Sequence, residues 1–369
     1  MRSLKVLKTI LYPLFPPNEP NPYSELGQRD LFFSGSFLTA SSAAKMARFH
    51  PAPIHAPGYV PARRFPTMRA RLILNGKKAG LQPVRDAVAA VRGSGHTLEV
   101  RVTWEKGDVE RLVAEAVADG VERIIAGGGD GSVNEMANGL MALGCDKRPA
   151  MGILPLGTAN DFATACRVPT DPVASLTLAC EGSPRPVDLA RANEHYFVNV
   201  ASGGFGAAVT ADTPVQLKDF LGGGAYTLMG ILKAVNFRPY ACTLRTPEGE
   251  SNAGMIVGAV CNGRLAGGGH PLAPQARIND GLLDVVSFAP FSMSDIPDVA
   301  AELAAAVSAG APWHGGKWVV RQRVPWVETE SPAELPVNLD GEPMRAHRFR
   351  FEAVPGAVGM ILPPDCPCL

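Results

Sequence analysis

Two short apolar segments of this chain each lead directly into a glycine-rich turn, and this pair limits the possible folds more than any other feature. Residues 121–126 precede the string GGGDGSVNE at 127–135, and residues 151–154 lead into LPLGTANDFA at 154–163. Short apolar runs bounded by turn residues are typical of buried strands in a parallel sheet. In such sheets ligands bind at the carboxyl ends of the strands, so two neighbouring turns can form one nucleotide cleft.

The first turn has the composition of a phosphate site. Consecutive glycines let the backbone approach an anion, because no Cβ stands in the way. Ser132 is predicted to cap the next helix, whose first amides and dipole would face the same anion. Similar turns occur where nothing is bound, and the second turn, with its own glycine and hydroxyl, is what favours a nucleotide site.

The pattern of the remaining chain divides at about residue 186. Before it, strands (71–74, 97–103) alternate with helices (81–91, 109–118, 174–180), which predicts an α/β, doubly wound nucleotide-binding domain. After it, short and often alternating strands predict an antiparallel, β-rich second domain. The strands of this second part are expected at 195–200, 242–245, 255–260, 283–288, 318–324 and 349–353, with helices near 225–235 and 293–306.

Composition excludes some classes of function. Lysine plus arginine and aspartate plus glutamate both number 35 among 369 residues, so no global charge favours nucleic acid as a partner. No apolar run reaches the length of a membrane span. The seven scattered cysteines indicate free thiols in a reducing compartment. Cys366 and Cys368 are interpreted as unpaired rather than as a metal or redox pair, because they lack C-x-x-C spacing and have no second pair nearby in sequence.

Further strings carry a resemblance to a known family. LILNGK at 72–77 and VTWEKGD at 102–108 precede the two turns, and NLDGEP at 338–343 follows them. In this order the strings resemble the diacylglycerol kinase catalytic family and, within it, the bacterial YegS-type lipid kinases. The resemblance extends from about residue 68 to the C-terminus.

The resemblance implies an ATP-dependent kinase that phosphorylates a lipid hydroxyl, with phosphatidylglycerol or a diacylglycerol-like lipid as acceptor, in phospholipid biosynthesis. It implies an ATP-binding domain at 68–189, completed by about 346–369, and a β-sandwich lipid-substrate domain at 190–345. The active site would lie in the cleft between them. We expect a cytoplasmic enzyme with peripheral contact at the inner membrane face.

Residues 1–67 differ from the rest and are predicted to be a disordered extension. They are rich in proline and serine and lack any sustained period. Basic residues before an apolar run that Pro13 breaks imitate a signal peptide, but export would separate the enzyme from ATP. An alternative hypothesis is that translation starts at Met68.

The resemblance also implies the nucleotide contacts. Asp130 is expected to act through Mg²⁺, because two anions repel unless a cation intervenes, although an aspartate here also stabilises turns. The positions matched to ATP binding are Asn75, Thr103, Gly127, Gly128, Gly129, Asp130, Gly131, Ser132, Val133, Asn134, Glu135 and Thr158.

Asp340 and Glu342 form the second chemical centre. Two carboxylates that flank a glycine on a tight turn can point into one cleft, where one accepts a hydroxyl proton and the other is a positioning or magnesium-binding group. The resemblance favours Glu342 as the proton acceptor. Taken alone, Asp-Gly in a hairpin is usually just a turn.

A second cation site is implied at Asp280, together with the backbone carbonyls of Arg277 and Leu282. One carboxylate between carbonyls suits Mg²⁺ or Ca²⁺, yet Asn-Asp-Gly at 279–281 is also a favourable turn sequence.

Two other functions compete with the lipid kinase. An NAD or sugar kinase can share the GGDG turn, although LPLGTANDFA and NLDGEP argue against it. The other is a catalytically silent lipid- or nucleotide-binding protein, against which the intact carboxylates argue.

Overall fold

The computed structural model describes residues 69–204, 240–255, 257–307 and 316–369. Its first part is a parallel sheet in the order β4-β3-β1-β2, with helices between successive strands. This arrangement confirms the predicted α/β class. The elements are β1 (Arg69–Asn75), α1 (Gln82–Gly93), β2 (Thr97–Thr103), α2 (Asp108–Ala118), β3 (Arg123–Gly128), α3 (Asp130–Met141) and β4 (Ala150–Pro155).

Both faces of this parallel sheet are covered by helices. All six residues of β3 are buried, which explains why the strand reads as a continuous apolar run rather than an alternating one. Ile124 packs on one face in a core that includes α2 and α3, whereas Ile125 packs on the other face with residues of α1 and the later helix α5 (Pro172–Glu181).

The second part is mainly antiparallel, in the order β14-β13-β10-β7-β15-β16, as predicted for the β-rich half. A separate apolar core fills it. Its elements and those that lead to it are α4 (Asp161–Ala165), β5 (Pro184–Ala192), β6 (His195–Phe197), β7 (Val200–Gly204), β8 (Tyr240–Thr246), β9 (Gly249–Met255), β10 (Val257–Cys261), β11 (Leu265–Ala266), β12 (His270–Pro271), β13 (Leu283–Phe288), α6 (Ile296–Val307), β14 (Val319–Val324), β15 (Trp326–Leu339) and β16 (Glu342–Ile361).

Strand β16 joins the two parts into one sheet. Its first half pairs antiparallel with β15 and its second half antiparallel with β5. Near its end, Met360 pairs in parallel with Met151 of β4. The same strand therefore begins in the antiparallel part and ends beside the nucleotide-binding sheet.

One predicted strand is interrupted. Residues 195–200 were expected to be continuous, but β6 ends at Phe197 and β7 begins at Val200, because the intervening backbone N–H groups donate to the carboxylate of Asp340. The extension at 1–67 and the helix at 225–235 lie outside the described residues, and the domain boundaries remain predictions. Within the described ranges, none of the helices has the length and hydrophobicity needed to cross a membrane.

Candidate active site

The two glycine-rich turns touch each other at the carboxyl edge of the parallel sheet. Strands β3 and β4 are neighbours, and the Leu156 N–H donates to the Gly128 carbonyl over 2.7 Å. A Cβ added to Gly157 would lie 2.6 Å from the Cα of Gly129, closer than any real Cβ contact. Glycine at both positions therefore lets the two backbones meet with no side chain between them.

The start of α3 differs from the sequence prediction, because Ser132 is not its cap. Gly129 is the N-cap residue, and its carbonyl accepts from the N–H groups of Ser132 and Val133. The Ser132 hydroxyl instead covers Gly128, where an added Cβ would lie 2.1 Å from its Oγ. Gly131 is exposed, and an added Cβ there would meet nothing within 4 Å. The N–H groups of the first two helix residues, Asp130 and Gly131, have no partner within the helix, so this open surface suits an anion.

The other predicted nucleotide-binding residues differ in how accessible their side chains are to a ligand. Asn75 and Thr103 end β1 and β2, where the Asn75 Oδ1 accepts from the Lys77 N–H and the Thr103 Oγ1 from the Gly76 N–H. Thr158 is exposed. The side chains of Val133 and Asn134 are buried, so only their backbone can face a ligand.

Asp130 connects the first turn to the second. Its Oδ2 accepts from the Asp161 N–H and its Oδ1 from the Phe162 N–H, both at 3.1 Å. Asn160, with φ of 51°, closes the second turn by accepting from the Gly157 N–H and donating to the Gly157 carbonyl. Asp130 thus has the turn-stabilising role that the sequence left open. A carboxylate has about four lone-pair positions, so this role leaves room for a cation.

Asp161 holds a third glycine segment against the second turn through hydrogen bonds, a contact that the sequence did not predict. Its buried carboxylate accepts from the N–H groups of Gly268 and Gly269, at 3.0 and 2.5 Å. Residues 267–269 all have positive φ, which explains why three glycines are required. The three consecutive glycines are the only sequence signal for this contact, and they do not identify Asp161 as the partner because it lies 107 residues away.

Asp340 and Glu342 lie on the tight hairpin between β15 and β16. Leu339 pairs with Glu342, and the two loop residues, Asp340 and Gly341, have φ of 47° and 105°, as a type I′ turn requires. The Asp340 carboxylate accepts from the N–H groups of residues 198, 199 and 200. Burial raises its pKa to about 6, although these N–H groups act to lower it.

Electrostatic coupling connects the hairpin to the first glycine turn. The charge of Asp130 contributes to the raised pKa of Asp340. Desolvation, followed by the charge of Glu342, raises the pKa of Glu135, and Lys106 opposes this shift. Carboxylates from two distant segments therefore repel one another electrostatically, and a bound cation would relieve this repulsion.

The second set of predicted cation ligands lies on a turn. The Asp280 Oδ1 accepts from the Leu282 N–H over 3.1 Å, and the Arg277 guanidinium donates to the Leu369 carbonyl. Asp188, which the sequence analysis did not identify, is buried beneath this turn and accepts from the N–H groups of Gly281 and Gly356.

Comparison with known proteins agrees with this architecture. Residues 69–192 match the diacylglycerol kinase catalytic domain, and residues 199–362 match the YegS C-terminal NAD kinase beta sandwich-like domain. A probable lipid kinase YegS-like of Shewanella frigidimarina is 48% identical over 305 residues, or 82% of this chain and 97% of that protein. Another, of Chromohalobacter salexigens, is 50% identical over 293 residues, or 79% and 92% of the two chains.

Solved structures give the same fold. A putative diacylglycerol kinase from Bacillus anthracis superposes with a TM-score of 0.67 at 24% identity, covering 81% of this chain and 96% of that one. The matches extend through both parts of the described structure and confirm the resemblance seen in the sequence. The chain therefore belongs to the YegS-like group of the diacylglycerol kinase catalytic family, and it is a kinase.

Proposed function

We propose that this kinase transfers the γ-phosphate of ATP to the hydroxyl of a lipid, either phosphatidylglycerol or a diacylglycerol-like molecule. The observation that carries the proposal is the contact between Gly129 and Gly157, in turns whose carboxylates are coupled electrostatically to the hairpin of Glu342. In this proposal, the open helix start and the carboxylate hairpin, whose charges are coupled, together form one cleft. Phosphoryl transfer requires these elements: a phosphate cradle, neutralisation of charge and a base near the acceptor hydroxyl.

The residues present fit a nucleotide and a divalent cation. The exposed backbone of Gly131 and the hydroxyl of Thr158 would bind phosphate oxygens. The lone pairs of Asp130 that its two N–H donors leave free would bind Mg²⁺. The cation supplies neutralisation of the negative charge on the transferred phosphoryl group. These roles for the turns are supported by the absence of a side chain where Gly129 and Gly157 meet.

The hydrogen bonds of the hairpin favour Glu342 over Asp340 as the proton acceptor. Both oxygens of Asp340 are occupied by backbone N–H groups, which gives it a positioning role in holding the hairpin against residues 198–200. Glu342 is exposed at the first position of β16, two residues from that anchor. We infer that Glu342 accepts the proton of the lipid hydroxyl.

A lipid acceptor is supported by the two relatives of 48% and 50% identity that are named probable lipid kinases. The β-rich part also has a small apolar cavity of about 40 Å³, lined mainly by aliphatic residues of β7, β10, β13 and β15. Its lining residues Ala201 and Val337 are in the two strands that adjoin the Asp340 hairpin. This cavity is too small for a whole acyl chain, so the chains would stay in the membrane, and a cytoplasmic enzyme would reach its acceptor by peripheral contact with the inner membrane face.

The second cation belongs to the same proposal. Mg²⁺ or Ca²⁺ would bind the Asp280 carboxylate and the carbonyls of Arg277 and Leu282. Asp188 supports this position, because it fixes the turn at Gly281 from below. The site would have a structural role, since it lies on the turn that precedes β13.

The deciding experiment measures transfer of labelled γ-phosphate from ATP, with Mg²⁺, to micellar diacylglycerol, phosphatidylglycerol or sphingosine, and to NAD without lipid. Glu342→Gln should keep ATP affinity while turnover falls by roughly two to four orders of magnitude, the range expected for a lost general base. Glu122→Gln is the matched control, because Glu122 is an exposed glutamate at the opposite end of β3.

The acceptor that takes the label determines the function. Label in one lipid, lost in Glu342→Gln and retained in Glu122→Gln, supports the proposal. Label in NAD identifies the rival nucleotide kinase. ATP binding without transfer to any acceptor would contradict the proposed reaction and favour a silent binding protein. Unchanged turnover in Glu342→Gln would remove this residue from the mechanism.

A further inference from the structure

Three cysteines far from one another in sequence meet in the interior of the protein. Cys166, Cys366 and Cys368 are all buried, and their three Sγ atoms lie within 4.8 Å of one another. From the sequence alone, Cys366 and Cys368 are interpreted as unpaired, because they lack C-x-x-C spacing and have no second pair nearby in sequence. Cys166, which the fold brings to them, lies about 200 residues earlier. The other four cysteines are free thiols elsewhere.

The local structure fixes each of the three thiols. Cys166 is the residue directly after α4, the helix that begins with Asp161. The Cys366 N–H donates to the Pro363 carbonyl in a tight turn, which places Cys366 and Cys368 beside Cys166. The Cys368 Sγ lies 3.2 Å from the Ala165 carbonyl, and the Cys368 carbonyl accepts from the Ile278 N–H over 2.9 Å.

The spacing suits a metal ion with sulfur ligands. With metal–sulfur bonds of about 2.3 Å, two thiolates on one ion lie about 3.8 to 4.0 Å apart, depending on whether the site is tetrahedral or trigonal. The cluster needs to contract by less than about 1 Å to reach this geometry. Rotation of the cysteine side chains and a small shift of the 366–368 turn can supply that movement.

One fixed positive charge lies at the tail cysteines. The guanidinium of Arg264 donates to the Ala276 carbonyl over 2.8 Å and to the Pro367 carbonyl, between the two tail cysteines. A cation fixed at this point would offset part of the charge of a metal–thiolate centre. Thiolate ligands select soft ions, principally Zn²⁺ and Cu⁺, over the hard Mg²⁺ of the kinase reaction.

We propose that Cys166, Cys366 and Cys368 together bind one soft metal ion, Zn²⁺ or Cu⁺, through their sulfur atoms. Each thiol that becomes a ligand loses its proton to solvent, and no electron is transferred. In the described part of the chain, no other cysteine, histidine or carboxylate joins the cluster. Cu⁺ would therefore bind with three ligands, whereas Zn²⁺ would complete four with the nearby Ala165 carbonyl or a water molecule.

The ion would connect the nucleotide motif to the end of the chain. Cys166 follows the helix whose first two N–H groups donate to the Asp130 carboxylate, and the tail cysteines follow β16. Metal binding should stabilise the folded protein and raise its Tm with metal concentration, because the unfolded chain does not hold the three thiols together. This site lies outside the proposed phosphoryl-transfer chemistry.

The test uses the full chain, reduced and freed of metal by chelation. Zn²⁺ and Cu⁺ are titrated separately in competition with chromophoric chelators, and native mass spectrometry counts ions per chain. Cys366→Ser and Cys368→Ser should each weaken binding by on the order of 100-fold or more, since the loss of a ligand exceeds the effect of an outer-shell change. Cys180→Ser, at a buried cysteine in α5, is the matched control and should bind normally.

The outcomes distinguish metal binding from simple packing of thiols. One tightly bound ion per chain, weakened in both tail variants and retained in Cys180→Ser, supports the site, and the ion with the higher affinity identifies the metal. No bound ion in folded, reduced protein would overturn it, as would equal affinity in all variants. A disulfide within the cluster, with no metal bound after reduction, would also overturn it. Circular dichroism verifies folding, and Cys366→Ala serves if the serine variant unfolds.

Discussion

Replacing Gly157 with alanine should damage catalysis without preventing folding. The added Cβ would lie 2.6 Å from the Cα of Gly129 and 2.7 Å from the Oδ1 of Asn160, whereas an ordinary contact is 3.4 to 4 Å. The two turns must therefore separate by roughly 1 Å, a displacement that can cost about 100-fold in catalysis. Overpacking of this kind should lower the free energy of unfolding by about 1 to 3 kcal/mol.

Steady-state kinetics, ATP affinity and thermal unfolding would be measured side by side for Gly157→Ala and for Gly93→Ala. Gly93 is the matched control, because it is exposed at the end of α1 and its added Cβ would meet nothing within 4 Å. We expect kcat/KM to fall by about 100-fold in Gly157→Ala and to stay unchanged in Gly93→Ala. A folded Gly157→Ala protein with wild-type kcat/KM and ATP affinity would refute the argument that contact between the turns shapes the nucleotide site.

Three further predictions address neighbouring groups. In Gly131→Val the new side chain enters open space, so the Tm should change little. The ATP affinity should fall by about tenfold or more, because a branched side chain would stand where phosphate approaches. Normal ATP affinity, measured by equilibrium dialysis, would exclude the Gly131 backbone from the phosphate site. Asp340→Asn places an amide group among three N–H donors, so the free energy of unfolding should fall by about 1 to 3 kcal/mol and turnover should fall with it. An unchanged urea midpoint of unfolding would contradict the role of Asp340 in holding the hairpin. Burial raises the pKa of Asp284 to about 6, although Arg323 opposes the shift. The stability that the protonated Asp284 contributes should therefore be complete below pH 3.8 and be lost as the pH rises to about 6. Urea unfolding should show the stability of Asp284→Asn relative to wild type increasing over that interval, by up to about 3 kcal/mol, and a difference that does not vary with pH would refute the assignment.

The nucleotide half could be predicted because its signals are local. Strand and helix alternate over short segments, and each glycine turn immediately follows its own strand, as at Gly129 and Gly157. The Asp-Gly hairpin was also recognisable, since a type I′ turn requires two residues with positive φ. The error at Ser132 has a local cause as well, because the glycine carbonyl, rather than the serine hydroxyl, accepts the first N–H groups of the helix.

Contacts between distant segments could not be read from the sequence. The hydrogen bonds from Gly268 and Gly269 to Asp161 depend on the folded position of a loop that follows β11. The cluster of three cysteines could not be predicted for the same reason. Spacing rules detect metal ligands that are near in sequence, whereas only the fold brings Cys166 to Cys366 and Cys368. The division of roles between Asp340 and Glu342 likewise depended on which carboxylate was already occupied by backbone donors.

The path of β16 has a consequence for synthesis on the ribosome. Arg148, just before β4, donates to the Ala357 carbonyl, 209 residues later, and Met151 pairs with Met360. Because chains are synthesised at about 5 to 20 residues per second, roughly 10 to 40 s pass between synthesis of β4 and synthesis of its partner in β16. During this interval its edge is open to pairing with other nascent chains. A truncated product that ends before β16 would keep this edge exposed, so aggregation and dependence on chaperones should be greatest for nascent chains and C-terminally shortened forms.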